Sequence, residues 1–260
     1  MVKPKFLNIT MCPIKLVGFD LDDCLFDSTG LSERARIKGI EAMIELGLKI
    51  DREKAIKMIH EIVKEYGSNS SEHYNYFIRR YNRLESTEEK IPYSFQFKYI
   101  SAAVMAYHKE KIDSIKLYDD VEPCLKRLKE MSIKTTIITD GLPIKQYEKI
   151  LRLGIDPLID LTVISDEIGI RKPNPKLFDH VLKRFNVLGP ETIYVGDRID
   201  KDIIPALLNN ITSVYIHRGG KYDTYKTGLK IPEGTKPDFE ISNLNEIFEI
   251  INEINQKEKI

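Results

Sequence analysis

Four carboxylates crowd into eight residues directly after the first apolar run of the chain: Asp20, Asp22, Asp23 and Asp27. The apolar run itself, from Ile14 to Phe19, is brief and carries β-branched side chains, which is typical of a short buried strand. Acids this close together repel one another unless a cation or a bound substrate compensates their charge. We therefore expect a positively charged partner at the end of the first strand.

The composition is that of a globular protein without a dominant charge. The chain has 260 residues, of which 42% are hydrophobic, and it has 40 basic and 40 acidic residues. This balance gives no global field that would attract nucleic acid or an anionic membrane. The scattered cysteines, Cys12, Cys24 and Cys124, favour a reducing compartment over a disulfide framework. The sequence shows no signal peptide and no apolar stretch of membrane-spanning length, so we expect a cytoplasmic protein of undetermined oligomeric state.

The sequence pattern of residues 29–114 predicts helices and no strands. Ser32 and Asp51 are suited to cap the first two helices of this block. Apolar residues at helical spacing predict two further helices. The third helix contains Tyr74, Phe77, Ile78, Tyr81 and Leu84, and the fourth contains Phe97, Ile100, Val104 and Tyr107. The pattern predicts a small helical bundle inserted as its own domain.

From Tyr118 onward, short apolar strands alternate with helices. The predicted strands are 134–139, 161–164, 192–195 and 213–216. Pro143 begins a helix with Ile144, Tyr147 and Leu151 on one face, and Asn174 with Pro175 suits the start of another. Such alternation predicts a parallel sheet covered on both faces. We therefore expect an α/β core built from residues 1–28 and 115–260, with residues 29–114 as the helical insertion.

Four polar motifs each follow a predicted strand. They are Asp20-Leu21-Asp22, Thr139-Asp140-Gly141, Lys172-Pro173, and the segment from Gly196 to Asp202. Any one of them is a common turn or loop signal. Ligands of an open parallel sheet bind beyond the carboxyl ends of its strands, so all four motifs point to one site.

The residue types in these motifs suit phosphoryl transfer. Asp20 can act as a carboxylate nucleophile and Asp22 as a general acid and base. Thr139 offers a hydroxyl, the turn at Gly141 can present backbone N–H groups to phosphate oxygens, and Lys172 supplies a positive charge. Acids of the first and fourth motifs can bind Mg²⁺, which prefers oxygen ligands.

The order of these motifs resembles the haloacid dehalogenase superfamily over roughly residues 14–250, and residues 29–114 resemble its C1-type helical cap. The resemblance implies a Rossmann-like core and an Mg²⁺-dependent phosphatase. Asp20 would be the nucleophile, Asp22 the general acid and base, and Lys172 the lysine of the third motif. Phosphate would be bound by Thr139, Asp140, Gly141 and Lys172. Mg²⁺ would be held by the carboxylates of Asp20 and Asp197 and the backbone carbonyl of Asp22, with Asp202 supporting the site.

Two positions depart from the pattern of this superfamily. Cys24 stands where Thr or Val is usual, and we expect an effect on packing only. Asp140 stands where Asn is frequent. Because a carboxylate would repel a phosphate dianion, we predict that the Asp140 side chain turns away and that its backbone contacts the substrate.

Asp22 favours a phosphatase over a haloacid dehalogenase, since a departing halide needs no proton. A cap that closes over the site would admit only a small substrate. By resemblance we expect glyceraldehyde 3-phosphate, a similar triose or sugar phosphate, or phosphoglycolate. The alternatives are a nucleoside 5′-monophosphate phosphatase, then a 2-haloacid dehalogenase, or a non-catalytic binding protein on the same fold.

Overall fold

The computed structural model describes residues 13–84, 90–220, 223 and 234–256. The chain divides into two compact structural units. The first comprises Met1–Thr29 with Lys116–Ile260, and the second comprises Gly30–Ile115. The boundaries expected from the sequence lie one residue earlier at each junction. Cys12 and the other residues from 1 to 12 lie outside the described part.

The first unit contains a six-stranded sheet. Its strands are β1 (Leu16–Phe19), β2 (Lys134–Thr139), β3 (Leu161–Ile164), β4 (Thr192–Gly196), β5 (Thr212–Ile216) and β6 (Phe239–Ile241). They lie in the order β3-β2-β1-β4-β5-β6, and every neighbouring pair is parallel. The predicted Rossmann-like parallel fold is confirmed, although the edge strand β6 was not predicted.

Helices precede, connect and follow the strands of this unit. They are α5 (Val121–Glu130), α6 (Pro143–Arg152), α7 (Ser165–Ile168), α8 (Lys176–Phe185), α9 (Ile204–Leu208) and α10 (Ile247–Gln256), with a π-helical segment at Ile199–Ile203. Helix α8 begins at Lys176, and Asn174 Oδ1 accepts the N–H of that residue at 3.1 Å. The predicted start at Asn174 and Pro175 is therefore one residue early.

The core of the α/β unit forms because its strands are almost continuous apolar runs. Strands β1 and β4 are buried along their whole length, as expected for parallel strands covered on both faces. Behind β4, the rings of Phe178 and Tyr194 meet edge to face at 4.8 Å between centroids. This packing fixes the strand ends from which the polar motifs project.

The second unit is made of helices α1 (Ser28–Glu45, which begins just before the unit), α2 (Arg52–Tyr66), α3 (His73–Leu84) and α4 (Tyr93–Asp113). Helix α1 starts at Ser28 rather than being capped by Ser32. Asp51 caps α2 as predicted, since its side chain accepts the N–H of Lys54 at 2.9 Å. The buried core of this unit includes Ile40, Ile59, Tyr74, Phe77, Ile78 and Tyr81.

The apolar stripe predicted on α4 is only partly buried. Ile100 and Tyr107 pack against the bundle core, whereas Phe97 and Val104 are exposed. Across the described ranges, no helix combines the length and apolar character needed to cross a membrane.

Candidate active site

The sheet brings the first, second and fourth motifs to one edge. Phe19 of β1 lies opposite Ile137 of β2 on one side and opposite Val195 of β4 on the other. The Asp20 N–H then donates to the carbonyl of Val195 at 2.9 Å. Because β1 lies where the strand order reverses, the crevice at its carboxyl end is the expected ligand site of this topology.

Three buried carboxylates converge at this edge. Asp20, Asp197 and Asp202 each offer a carboxylate oxygen within 4.8 Å of the other two. Lys172 joins them from the third motif: its Nζ lies 2.5 Å from Oδ1 of Asp20 and 2.7 Å from Oδ1 of Asp202. The structure thus brings together the predicted nucleophile, lysine and metal-site acids.

The charges of this cluster do not balance, because one ammonium faces three carboxylates. Burial raises the pKa of Asp20 to about 7, with Lys172 opposing the rise and Asp202 adding to it. Burial, together with the neighbouring Asp20 and Asp202, raises the pKa of Asp197 to about 9. For Lys172, burial disfavours the charged form, but the charges of Asp20 and Asp202 raise its pKa well above the ordinary value.

This excess of negative charge is what a divalent cation would neutralise. The donor atoms are all carboxylate oxygens, which Mg²⁺ prefers, and burial with the two neighbouring acids raises the pKa of Asp197 in spite of Lys172. The residues present therefore fit Mg²⁺.

Asp202 and Asp200 have different surroundings, although they stand two residues apart. Asp202 Oδ2 accepts the backbone N–H of Arg198 at 3.1 Å. Asp200 is exposed and pairs with the Arg198 guanidinium at 2.6 Å, so it does not compete for the cluster. Gly196 allows Asp202 to approach, since a Cβ on this glycine would lie 2.4 Å from the Cβ of Asp202.

The carboxylate of Asp22 is held by side chains of helix α6. Lys149 Nζ lies 2.7 Å from both of its oxygens, and Gln146 Nε2 lies 3.3 Å from Oδ2. Burial alone would raise the pKa of Asp22, but the charge of Lys149 and hydrogen bonds from Lys149, Ser28 and Gln146 bring it below the usual value. Asp22 is thus ionised in this structure, and its carboxylate contacts both Lys149 and Gln146.

The second motif is tied to its neighbours through side chains. The buried Thr139 hydroxyl lies 2.8 Å from Gln146 Nε2. Gly141 has φ +130°, and its N–H donates to Ser165 Oγ at 3.1 Å, so this amide already has a partner. The Asp140 carboxylate accepts the backbone N–H of Lys172 at 3.1 Å.

Asp140 also pairs with Lys201 at 3.0 Å. Its side chain therefore links the second, third and fourth motifs. The neighbouring Arg171 is exposed and pairs with Asp166 at 2.7 Å, which separates it from the buried Lys172.

Cys24 fills a packing position. It is fully buried, its Sγ lies 3.7 Å from the carbonyl oxygen of Val195, and burial raises the pKa of its thiol well above the ordinary value. The thiol is therefore protonated and unsuited to nucleophilic attack.

Four residues around the site were not predicted from sequence: Gln146, Lys149, Tyr194 and Lys201. The Tyr194 hydroxyl lies 3.3 Å from Oδ1 of Asp202 and 3.4 Å from Lys172 Nζ. The sequence signal for Tyr194 was a phenolic hydroxyl in the middle of a predicted buried strand. Gln146 and Lys149 share a helix face at spacing i, i+3, opposite the apolar stripe of α6.

Comparison with known proteins identifies the family of this chain. The family model for haloacid dehalogenase-like hydrolases matches residues 14–207. Glyceraldehyde 3-phosphate phosphatase of Methanopyrus kandleri is 41% identical over 93% of this chain and 98% of its own. The protein of the same name from Pyrococcus abyssi is 43% identical over 79% of this chain and 82% of its own.

A solved structure of a HAD phosphatase from Thermococcus onnurineus superposes with a TM-score of 0.59 at 22% identity. The match covers 92% of this chain and 98% of that chain, and it shows a common fold.

The chain therefore belongs to the haloacid dehalogenase-like hydrolase family. Within that family it is a phosphatase, in agreement with the sequence prediction.

Proposed function

We propose that the chain is a Mg²⁺-dependent phosphomonoesterase that hydrolyses glyceraldehyde 3-phosphate, or a similar triose or sugar phosphate, through an aspartyl-phosphate. The observation that carries this proposal is the buried cluster of Asp20, Asp197 and Asp202 around Lys172 at the carboxyl edge of the sheet. The two archaeal relatives named above support the choice of substrate.

In this proposal Mg²⁺ is held by the carboxylates of Asp20 and Asp197 and the backbone carbonyl of Asp22, with Asp202 in support. The bound ion supplies positive charge for the phosphoryl oxygens. Lys172 supplies a second positive charge beside Asp20 and opposes the rise in its pKa caused by burial, which favours the ionised carboxylate that a nucleophile needs.

The first half-reaction forms a bond between an Asp20 oxygen and phosphorus, while the bond from phosphorus to the leaving oxygen breaks. Asp22, which is ionised in this structure, first takes up a proton from solvent and then gives it to that oxygen, so that an alcohol departs. Thr139 and the backbone around Asp140 and Gly141 contact the phosphoryl oxygens. The products are the free alcohol and the phosphorylated Asp20.

The second half-reaction is hydrolysis of that aspartyl-phosphate. Asp22, now a carboxylate, takes a proton from water as the water oxygen attacks phosphorus. The bond between phosphorus and the Asp20 oxygen breaks, which releases inorganic phosphate and restores the Asp20 carboxylate. Asp22 regains the proton needed for the next cycle.

The same proposal gives the helical unit Gly30–Ile115 the role of a C1 cap, on the basis of its resemblance and its separate core. A cytoplasmic location is also part of the proposal. It is supported by the free, buried Cys24 and Cys124, which form no disulfide in the described residues.

The test is phosphate release from a panel of esters, measured with Mg²⁺ and with EDTA, for the wild type, Asp20→Asn and Asp200→Asn. The panel contains glyceraldehyde 3-phosphate, phosphoglycolate, nucleoside 5′-monophosphates and p-nitrophenyl phosphate. Asp200→Asn is a matched control, because it makes the same change at an exposed acid outside the cluster.

We expect Mg²⁺-dependent release that is lost in Asp20→Asn and kept in Asp200→Asn, with the highest kcat/KM for glyceraldehyde 3-phosphate. A higher kcat/KM for nucleoside 5′-monophosphates would support the nucleotidase alternative in place of a triose-phosphate phosphatase. Full activity of Asp20→Asn would refute the aspartyl-phosphate mechanism. Halide release from 2-haloacids without phosphate release would point to a dehalogenase.

A further inference from the structure

Helix α6 turns its polar side toward the active site. Gln146 is only 2% exposed and Lys149 is half-buried, whereas Ile144 and Leu151 are 84% and 64% exposed. An amphipathic helix ordinarily buries its apolar stripe. The inward face also carries the fully buried Ile150, so apolar packing contributes to this orientation. It does not account for the inward polar side chains of Gln146 and Lys149, and their contacts must be considered.

Both inward-facing side chains engage the carboxylate of Asp22. The Lys149 ammonium makes a two-pronged contact, at 2.7 Å from each oxygen. Gln146 Nε2 reaches Asp22 Oδ2 at 3.3 Å and the hydroxyl of Thr139 at 2.8 Å. The Lys149 ammonium also lies 5.9 Å from the ring centroid of the buried Phe26, close to the segment that carries Asp22. One helix face thus connects the first motif with the second.

We propose that Lys149 is a positioning residue that fixes the side-chain conformation of Asp22, and that Gln146 sets this carboxylate at a defined place relative to Thr139. The inference rests on the proposed function, in which Asp22 exchanges a proton with the leaving oxygen. Asp22 follows the end of a strand, where its side chain can rotate. Proton transfer requires the carboxyl to lie within hydrogen-bond reach of the leaving oxygen, so holding it there contributes to the rate.

The contact is only partly buried, so it contributes less to folding than a fully buried ion pair does. The side chains of Lys149 and Asp22 are 22% and 32% exposed, and ion pairs open to solvent stabilise proteins by only about 0–1 kcal/mol. Removing Lys149 should therefore leave the fold intact. This separates an effect on catalysis from an effect on stability.

The test compares Lys149→Met with Lys145→Met on two kinds of ester. Lys145 lies on the same helix but is exposed, so it controls for loss of a lysine there. Glyceraldehyde 3-phosphate has an alkoxide leaving group, which needs a proton. p-Nitrophenolate departs without one. The purified full-length enzyme is assayed with Mg²⁺, and thermal unfolding is recorded for each variant.

We expect Lys149→Met to lower kcat/KM for glyceraldehyde 3-phosphate by about 10- to 100-fold, within the range of general acid–base effects, and to change that for p-nitrophenyl phosphate by less than about threefold. Lys149→Arg should restore most of the loss, because a guanidinium can also engage both carboxylate oxygens. Lys145→Met should match the wild type. Lys149→Gln, which removes the charge but keeps a polar group, serves as a second variant should Lys149→Met unfold.

Asp22→Asn, assayed alongside, separates this inference from the proposed function. If Asp22→Asn lowers kcat/KM equally for both esters, Asp22 is not the general acid and the proposed function fails at that step, because kcat/KM does not include the second half-reaction that the two esters share. If Asp22→Asn spares p-nitrophenyl phosphate while the Lys149 variants do not, the positioning role is wrong. Unchanged or faster turnover of both esters in the Lys149 variants would also overturn it.

Discussion

Lys172 donates a hydrogen bond of 2.5 Å to Oδ1 of Asp20, and both side chains are almost completely buried. The same ammonium lies 2.7 Å from Asp202, so a single cation holds two acids that would otherwise repel each other. We therefore expect the lysine to affect both the charge of Asp20, the proposed nucleophile, and the stability of the strand ends around it.

Lys172→Met should therefore affect activity and stability together. Removing one partner of a buried ion pair costs about 3–5 kcal/mol, and removing a preorganised positive group from a phosphoryl site costs about 100-fold or more in turnover. Urea unfolding and kcat for glyceraldehyde 3-phosphate measure the two effects. Lys176→Met, at an exposed position nearby, should change neither. Wild-type kcat in Lys172→Met would exclude the lysine from the reaction.

The affinity for Mg²⁺ should rise with pH up to about 9. Burial raises the pKa of Asp197 to about 9 and that of Asp20 to about 7, so below these values the ion must displace protons. Isothermal titration calorimetry in buffers of different ionisation enthalpy would count the protons released. Asp197→Asn should weaken Mg²⁺ binding and remove the part of the pH dependence above pH 7. Binding that is independent of pH from 6 to 9 would contradict the assignment.

The stability of the metal-free protein should change with pH in the opposite sense. The unfolded chain releases the Asp197 proton near its ordinary pKa of 3.8, whereas the folded chain keeps it until about pH 9. The folded state therefore binds more protons between these values, and its stability at this site falls as pH rises from about 4 to about 9. Denaturant unfolding in EDTA over this interval, with Asp197→Asn as the comparison, would measure the fall.

Gly196→Ala should disturb the acid cluster from within the sheet. The added methyl group would lie 2.4 Å from Cβ and 2.6 Å from Oδ2 of Asp202, so either the strand or the acid must move. We expect destabilisation of about 1–3 kcal/mol, as for other overpacked interiors, and weaker Mg²⁺ binding. Gly220→Ala, where an added Cβ meets nothing within 4 Å, should be neutral. Calorimetric unfolding and Mg²⁺ titration of both variants provide the test.

Asp120→Ala should destabilise the α/β unit without touching the cluster. Asp120 receives two bonds from Arg218, at 2.8 and 2.9 Å, and one from the N–H of Leu244 at 2.8 Å. Loss of this buried carboxylate leaves the guanidinium without its negative partner, at a cost of about 3–5 kcal/mol. The exposed pair of Glu122 and Lys126 offers the contrast, since Glu122→Ala should cost no more than about 1 kcal/mol. Equal losses in the two variants would refute this difference.

The sequence was sufficient to predict the sheet and the acid cluster for a clear physical reason. Buried parallel strands are nearly continuous apolar runs, and polar residues that end such runs must meet at one edge. The fold is thereby confirmed, and the structure brings Asp20, Asp197, Asp202 and Lys172 together. Their roles in binding and catalysis remain predictions until the variants are assayed.

Features that depend on tertiary packing could not be predicted from the sequence. β6 is a three-residue edge strand with only one buried residue, so it has little apolar signal. Lys149 is a single lysine on a helix, and its contact with Asp22 spans 127 residues of sequence. The apolar face of α6 through Ile144 and Leu151 was recognised, but amphipathicity alone would place it against the sheet, whereas it is exposed.

The orientation of α6 should lower the thermal stability of the protein while it supports turnover. Burial of a Leu or Ile side chain is worth about 1.5–3 kcal/mol, and this helix leaves Ile144 and Leu151 in water while it places Gln146 inside, beside the buried Ile150. A library of α6 variants selected for thermal stability alone should therefore favour sequences that reverse this preference and lose the contact with Asp22. Only selection on both properties should retain an inward Lys149.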